Sequence, residues 1–433
     1  MKSRTLTCIT AMALFVALPL PARLAAQEQN QQPPRYTVTD LGTLGGTFGA
    51  ANAVNNRGSV VGFANLPGDT EGHAFLWSKG IKRSLGTLGG PNSSAAFLNE
   101  RGEVTGFSET STTPDPLGED FCLFGTHLIC LPFLWQNGEM APLPTLGGNN
   151  GQAFGVNNRG QVVGLAENTT PDPTCPFPPA PPFFSVLESK PVVWEKGKVQ
   201  ELPTIPGDPD GSVSAINDNG QAVGQTGNCT GPLHGVLWHN GTASDLGTLG
   251  GLVLSPFDIN NRGQVVGSAV SPDGTIFLAF LWQNGVATSL GTLPPDVFSL
   301  ALGINDRGQI VGDSCDMSFS CRAFLWQNGT MTELNSLVHD PNAPFLETGN
   351  GINSRGQIAG KTTVQGTGIA DAYLANPCHA EKESCEQQDQ GKSAERGEKG
   401  EKVKATPREN VRKLLQQRLG SRYHIPGLGA PKD

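Results

Sequence analysis

Hydrophobic and polar positions alternate along most of the chain in short bursts, and the bursts return in a fixed order. An apolar residue, an Asn, a polar pair, a Gly and a β-branched run begin at Val54, Leu98, Val156, Ile216, Ile259, Ile304 and Ile352. Ile304-Asn305-Asp306-Arg307-Gly308-Gln309-Ile310-Val311-Gly312 reads as strand, tight turn with Gly at the positive-φ position, and strand, so each copy predicts the bend of a β-hairpin. A second unit, Leu41-Gly42-Thr43-Leu44-Gly45-Gly46, returns at Leu85, Leu143, Leu202, Leu246, Leu290 and Leu334, at spacings of 44, 58, 59, 44, 44 and 44 residues. In the fifth repeat, residues 255–259 lead into the turn and 264–269 lead out; 277–282, the turn Gln283-Asn284-Gly285 and 286–290 follow. Four strands in about 44 residues is the strand count and period of a β-propeller blade.

The ends of the repeat series are offset. The seventh repeat stops at residues 371–375 without a fourth strand, while residues 36–41 form a fourth strand without a first three. The two fragments complete one blade, which closes a ring and leaves no open end, whereas a solenoid would need caps at both ends. The expected fold is therefore all-β: a seven-bladed propeller over residues 36–376, closed by the N-terminal strand.

Outside that span the pattern changes. Residues 1–26 carry Lys2 and Arg4, an apolar run over 9–20 and the small residues Ala25-Ala26, which reads as a secretory signal peptide too short to span a bilayer. Residues 27–35 read as a linker. Residues 377–433 form a charged tail expected to be disordered, with a short helix near 407–419 that sets Val411, Leu414, Leu415 and Leu419 on one face. Residues 27–376 carry 15 basic and 30 acidic side chains, a balance that repels nucleic acid and anionic membranes.

Repeats two and three are long because of their connections between second and third strands, residues 109–131 and 167–189. These insertions hold Cys122, Cys130 and Cys175; Cys229, Cys315 and Cys321 occupy the same connection in repeats four and six, and Cys378 and Cys385 lie beyond the repeats. In an exported chain such spacings predict disulfides: Cys122–Cys130, Cys315–Cys321 and Cys378–Cys385 as local staples, and Cys175–Cys229 between neighbouring blades. None has the two-residue spacing that thiolate zinc sites favour.

The repeated Phe-Leu-Trp strand, the Ile-Asn-x-Arg-Gly-Gln-Val-Val-Gly hairpin and the Leu-Gly-Thr-Leu-Gly-Gly segment resemble the HAF family of extracellular repeats over residues 36–376, and His73-Ala74-Phe75 shows the family's triplet once. The resemblance implies a secreted bacterial repeat protein and supplies no reaction, ligand or cofactor.

Candidate chemistry is sparse. The seven His residues are scattered, and there is no His-Glu-x-x-His pair and no Gly-x-Ser-x-Gly elbow. All six Trp residues fall at one repeat position, which predicts packing between blades rather than a sugar-stacking ring. Arg57, Arg101, Arg159, Arg262, Arg307 and Arg355, with Asn219 in the fourth repeat, share one hairpin position and are expected to tie each turn to a neighbouring blade. Gly207-Asp208-Pro209-Asp210-Gly211 resembles a calcium loop but lacks the later carboxylate, and reads as a turn. Asn-x-Ser/Thr sequons at Asn92, Asn168, Asn228, Asn240 and Asn328 follow from turns rich in Asn and Thr.

No catalytic residue, metal ligand or cofactor is assigned. The expected function is a monomeric secreted or cell-envelope module that binds a glycan or an extracellular protein. The alternative is a propeller hydrolase or lyase acting on polysaccharide, with Glu109, Asp115, Glu119, Asp120, Glu167 and Asp172 as its only candidate acids. Those residues read equally as solubilising loop charges. Ligand is expected on the face of the long connections, off-centre toward repeats two to four, where the Gly pairs leave backbone open to approach.

Overall fold

The computed structural model describes residues 34–175, 185–228, 233–270, 277–363 and 369–378. They form seven antiparallel sheets, each ordered from the innermost strand outward, arranged as a seven-bladed propeller. The fifth blade is representative: Leu252–Ile259, Val265–Val270, Phe277–Gln283 and Val286–Ser289, with the two-residue strand Thr248–Leu249 added beside the first. One 3-10 turn, Leu334–Leu337, interrupts the strands.

Closure follows the offset of the repeats. Arg35–Gly42 pairs antiparallel with Ala372–Cys378, from Arg35 opposite Cys378 to Gly42 opposite Ala372, and completes the blade of Phe345–Ile352 and Ile358–Thr363. The last strand runs two residues past the expected limit at 376. The expected signal peptide, most of the linker and the expected tail helix lie outside the described residues, among which no helix is long and apolar enough to cross a membrane.

The final Gly of the hairpin motif has a steric cause. In each blade the innermost strand carries a bulge, as between Ala153 and Gly155 and between Pro256 and Asp258. The second-strand glycine opposite it, Gly62, Gly106, Gly164, Gly224, Gly267, Gly312 or Gly360, lies so close that a Cβ would overlap the innermost strand's carbonyl oxygen.

Core clusters span blade boundaries. Ala53, Val61, Ala74 and Leu76 of the first blade pack with Ala95, Leu98, Val104, Phe133 and Trp135 of the second. Trp194 packs with Leu143 and Leu146 of the preceding connection and donates Nε1–H to Pro144 O at 2.8 Å; Trp238 does the same to Pro203 O at 2.7 Å. The tryptophans hold blades together, as their periodicity implied.

Candidate functional site

The hairpin turns meet around the propeller axis. Asn55, Asn99, Asn157, Asn217, Asn260, Asn305 and Asn353 are buried there. Each Nδ2 donates to the main-chain carbonyl of its counterpart in the next blade: Asn55 to Asn99, and so on round to Asn353 to Asn55, at 2.8 to 3.1 Å. The circuit has seven links and no end. Each Oδ1 meanwhile accepts the N–H groups two and four residues on, fixing its own turn; for Asn260 these are Arg262 and Gln264, both at 3.0 Å. In five of the seven turns the Gln after the turn glycine takes the second Nδ2 proton, as Gln264 does from Asn260 at 2.8 Å, and Glu103 does so from Asn99, while Ser59 stands at that position in the first turn. Asn at this position is thus dictated by the four hydrogen bonds, three at Asn55, that no shorter or apolar side chain can make.

One residue further on, a second ring lies nearer solvent: Asn56, Glu100, Asn158, Asp218, Asn261, Asp306 and Ser354. Six of its main-chain N–H groups donate to the side-chain oxygen of the next member at 2.8 to 2.9 Å. The two rings frame an axial cavity of about 300 Å³, with Val54, Leu98, Val156, Ile216, Ile259, Ile304 and Ile352 forming an apolar floor. Its lining holds no His, Cys or Lys, and its single hydroxyl is Ser354. The cavity thus presents acceptor oxygens above an apolar surface.

The cavity opens on the face of the tight turns, opposite the long connections where ligand is expected from the sequence. Two features mark the face of the long connections. Three of the four Gly pairs are closely covered, since a Cβ on Gly46, Gly90 or Gly148 would overlap Asp69, Glu109 or Glu167, whereas Gly250-Gly251 has open space on both residues. The second-blade insertion also folds inward: Phe121 and Cys122 pack with Phe107 and Phe154, and Gln152 Nε2 donates to Phe121 O at 3.0 Å. Much of each insertion is strand rather than loop, because Val104–Pro114 pairs with Leu128–Gln136 and Val162–Pro171 with Leu187–Glu195.

The six candidate acids are not solvated loop charges, which corrects that reading. Glu109, Asp115, Glu119, Asp120, Glu167 and Asp172 are all buried, Glu109 and Glu167 completely. Glu109 Oε2 accepts from Asn92 N and Nδ2 at 3.0 and 2.9 Å, and its Oε1 from Thr126. Asn150 Nδ2 donates to both Asp115 Oδ2 and Glu119 Oε2 at 3.0 Å, while its N–H and that of Asn149 go to Glu167 Oε2 at 2.8 and 3.1 Å. Burial, then the neighbouring Glu167, push the Glu119 carboxyl up to about 9. Burial likewise raises Glu167 and Glu109. Asp210, which the sequence offered only as part of a turn, is pushed up to about 8 by burial and by its hydrogen bond with Asp172. Its partner in that turn, Asp208, accepts from Thr226 Oγ1 at 2.6 Å and pairs with His234 Nδ1 at 2.8 Å.

Among the cysteines, Cys122–Cys130 and Cys315–Cys321 are disulfides. Cys175 and Cys378 are also disulfide-bonded, and the partners expected for them, Cys229 and Cys385, lie outside the described residues. Two groups bring cysteine sulfur near carboxylates, Asp313 with Cys315 and Cys321, and Asp172 with Cys175 and Asp210; bonded sulfurs offer no thiolate to a metal. The exposed arginines of the turns lie over the next blade: a Cβ on Gly160, Gly220 or Gly308 would meet the guanidinium of Arg101, Arg159 or Arg262. Asn219, at the same position, donates Nδ2–H to Asn261 O at 2.8 Å. The guanidinium hydrogen bonds of Arg101 and Arg355 go instead to Glu103 and Gln357 of their own turns, so at those positions the arginine approaches the neighbouring turn without the bond that the spacing implied.

No family model and no curated protein matches the chain. Solved structures similar to it include a Mycobacterium tuberculosis puromycin-hydrolyzing peptidase, at 9% identity and TM-score 0.47 over 80% of this chain and 55% of that one. The β-propeller domain of the Trilobed protease from Pyrococcus furiosus aligns at 9% identity and TM-score 0.44, over 72% of this chain and 100% of that one. A gluconolactonase from Xanthomonas campestris aligns at 9% identity and TM-score 0.37, over 81% and 96%. The chain spans only about half the length of the peptidase, and none of these likenesses carries a functional residue or an activity to it.

Proposed function

We propose that the protein is an exported binding module of the HAF repeat type, whose axial cavity receives the end of a glycan. The observation that carries this reading is the cavity of about 300 Å³ built by all seven blades, with an acceptor-rich rim over an apolar floor. A pyranose unit has the matching chemistry: hydroxyl donors for Glu100, Asp218 and Asp306, and a C–H face for the isoleucines and valines below. Export is supported by the apolar leader and by disulfides, which form in oxidising compartments. The six acids that the sequence offered for the hydrolase or lyase alternative are 0 to 8% exposed, so that alternative would have to draw its acids from the cavity rim instead.

A glycan array probed with the full chain, repeated with Ser354→Trp to fill the cavity mouth, tests the reading. Retention by the parent protein and its loss in the variant is the expected result. Retention unaffected by the indole would remove the cavity from consideration, and release of shortened products would favour the enzyme.

A further inference from the structure

The insertions of the second and third blades each lean on the following blade through paired carboxyl groups. Glu119, from the second-blade insertion, meets Glu167 at the outer end of the third blade; both hang on Asn150, and Glu119 Oε1 also accepts the Val186 N–H. Asp172, from the third-blade insertion, meets Asp210 at the start of the fourth blade, where Asp210 Oδ1 accepts the Ser189 N–H at 2.9 Å. Two carboxylates cannot hydrogen-bond to one another unless one of them carries a proton. The groups facing the first pair are Asp115 from the insertion, Asn150 from the turn before the third blade's innermost strand, and Ser185 and Val186 from the returning strand, none of them cationic. The second pair faces Lys190, whose Nζ is held by Glu188 at 2.8 Å.

We propose that these two pairs are proton-dependent latches: the second-blade insertion stays docked on the third blade, and Asp172 stays on Asp210, while one carboxyl of each pair keeps its proton, and loss of that proton to solvent parts them. Ionisation of the Glu119–Glu167 pair would place two negative charges in contact with no cation among the groups facing them, and at the Asp172–Asp210 pair Lys190 is shared with Glu188, so the buried surroundings disfavour the doubly ionised state. Opening would uncover the Cys122–Cys130 disulfide, whose cysteines are 3% and 0% exposed when the insertion is docked.

The experiment is the rate of reduction of that disulfide by a phosphine in the full chain from pH 6 to pH 10. The sixth-blade disulfide Cys315–Cys321 serves as internal reference, and the variant is Glu119→Gln, whose amide donates at every pH. Expected is a rise of about tenfold per pH unit on approach to the opening range, relative to the reference disulfide, and a flat profile in the variant. Asp210→Asn supplies a separate arm, in which amide exchange at Ser189, corrected for base catalysis, should lose its excess pH dependence. A parental rate that does not change with pH, or variants that keep the parental profile, would overturn the proposal. So would slowing of reduction by added calcium chloride at fixed pH, which would make a cation rather than a proton the neutralising partner. If Glu119→Gln fails to fold, the parental profile and the Asp210 arm decide.

Discussion

At the scale of single residues, two positions of the repeat are set by geometry that leaves no substitute. Gly267 faces the innermost-strand bulge, and a Cβ there would overlap the Ser255 carbonyl, a main-chain atom that cannot step aside. Gly267→Ala should therefore destabilise the protein by at least about 3 kcal/mol, or prevent folding, as read by urea denaturation. Asn260→Ala removes two acceptor bonds within its turn and opens the circuit to Asn305, which should cost about 2–4 kcal/mol by the same measurement. Arg262→Ala should cost less than about 1 kcal/mol, because its guanidinium lies exposed over Gly308. The sequence made these positions visible by repetition alone. Asn and Gly recur at fixed phase in it, but the bulge that explains Gly267 is a property of strand register, which residue types do not reveal.

At the scale of strands and blades, legibility followed sequence distance. The four strands of a blade lie within one period, so their alternation and turns announced them, and even the closing strand was predictable because residues 36–41 had no partners of their own. Glu119 and Glu167, by contrast, are 48 positions apart in different repeats and meet only when blades stack. Read singly, they belong to polar segments rich in Pro and Thr, and nothing in composition separates a buried carboxyl from a solvated one. Deleting residues 27–41 should leave the last blade with a bare edge beside Ala372–Cys378 and abolish the cooperative thermal transition, as followed by calorimetry. Trp194→Ala, which empties a packed position between the second and third blades, should cost about 3–5 kcal/mol in chemical denaturation.

For the whole molecule, the buried acids set an unusual pH profile. The Glu119 and Asp210 carboxyls hold protons up to about 9 and about 8 in the folded protein, against 4.5 and 3.8 ordinarily. The folded state therefore binds more protons than the unfolded chain between those limits. The stability these groups contribute is fully present below the ordinary carboxylate values and is lost as pH rises through the folded ones. The melting temperature should thus fall from mildly acidic conditions toward pH 9, and Glu119→Gln together with Asp210→Asn should flatten that decline. The closing seam has a mechanical counterpart. Arg35 lies opposite Cys378, so the first residue of one strand and the last residue of its neighbour leave the sheet at the same end. A pull applied between the two chain ends loads the pairs one after another, as in opening a zip, rather than all at once in shear. The closed ring of seven blades would then yield to tension at a single place, Arg35 parting from Cys378 first, and the remaining six blades would be left as an open fan.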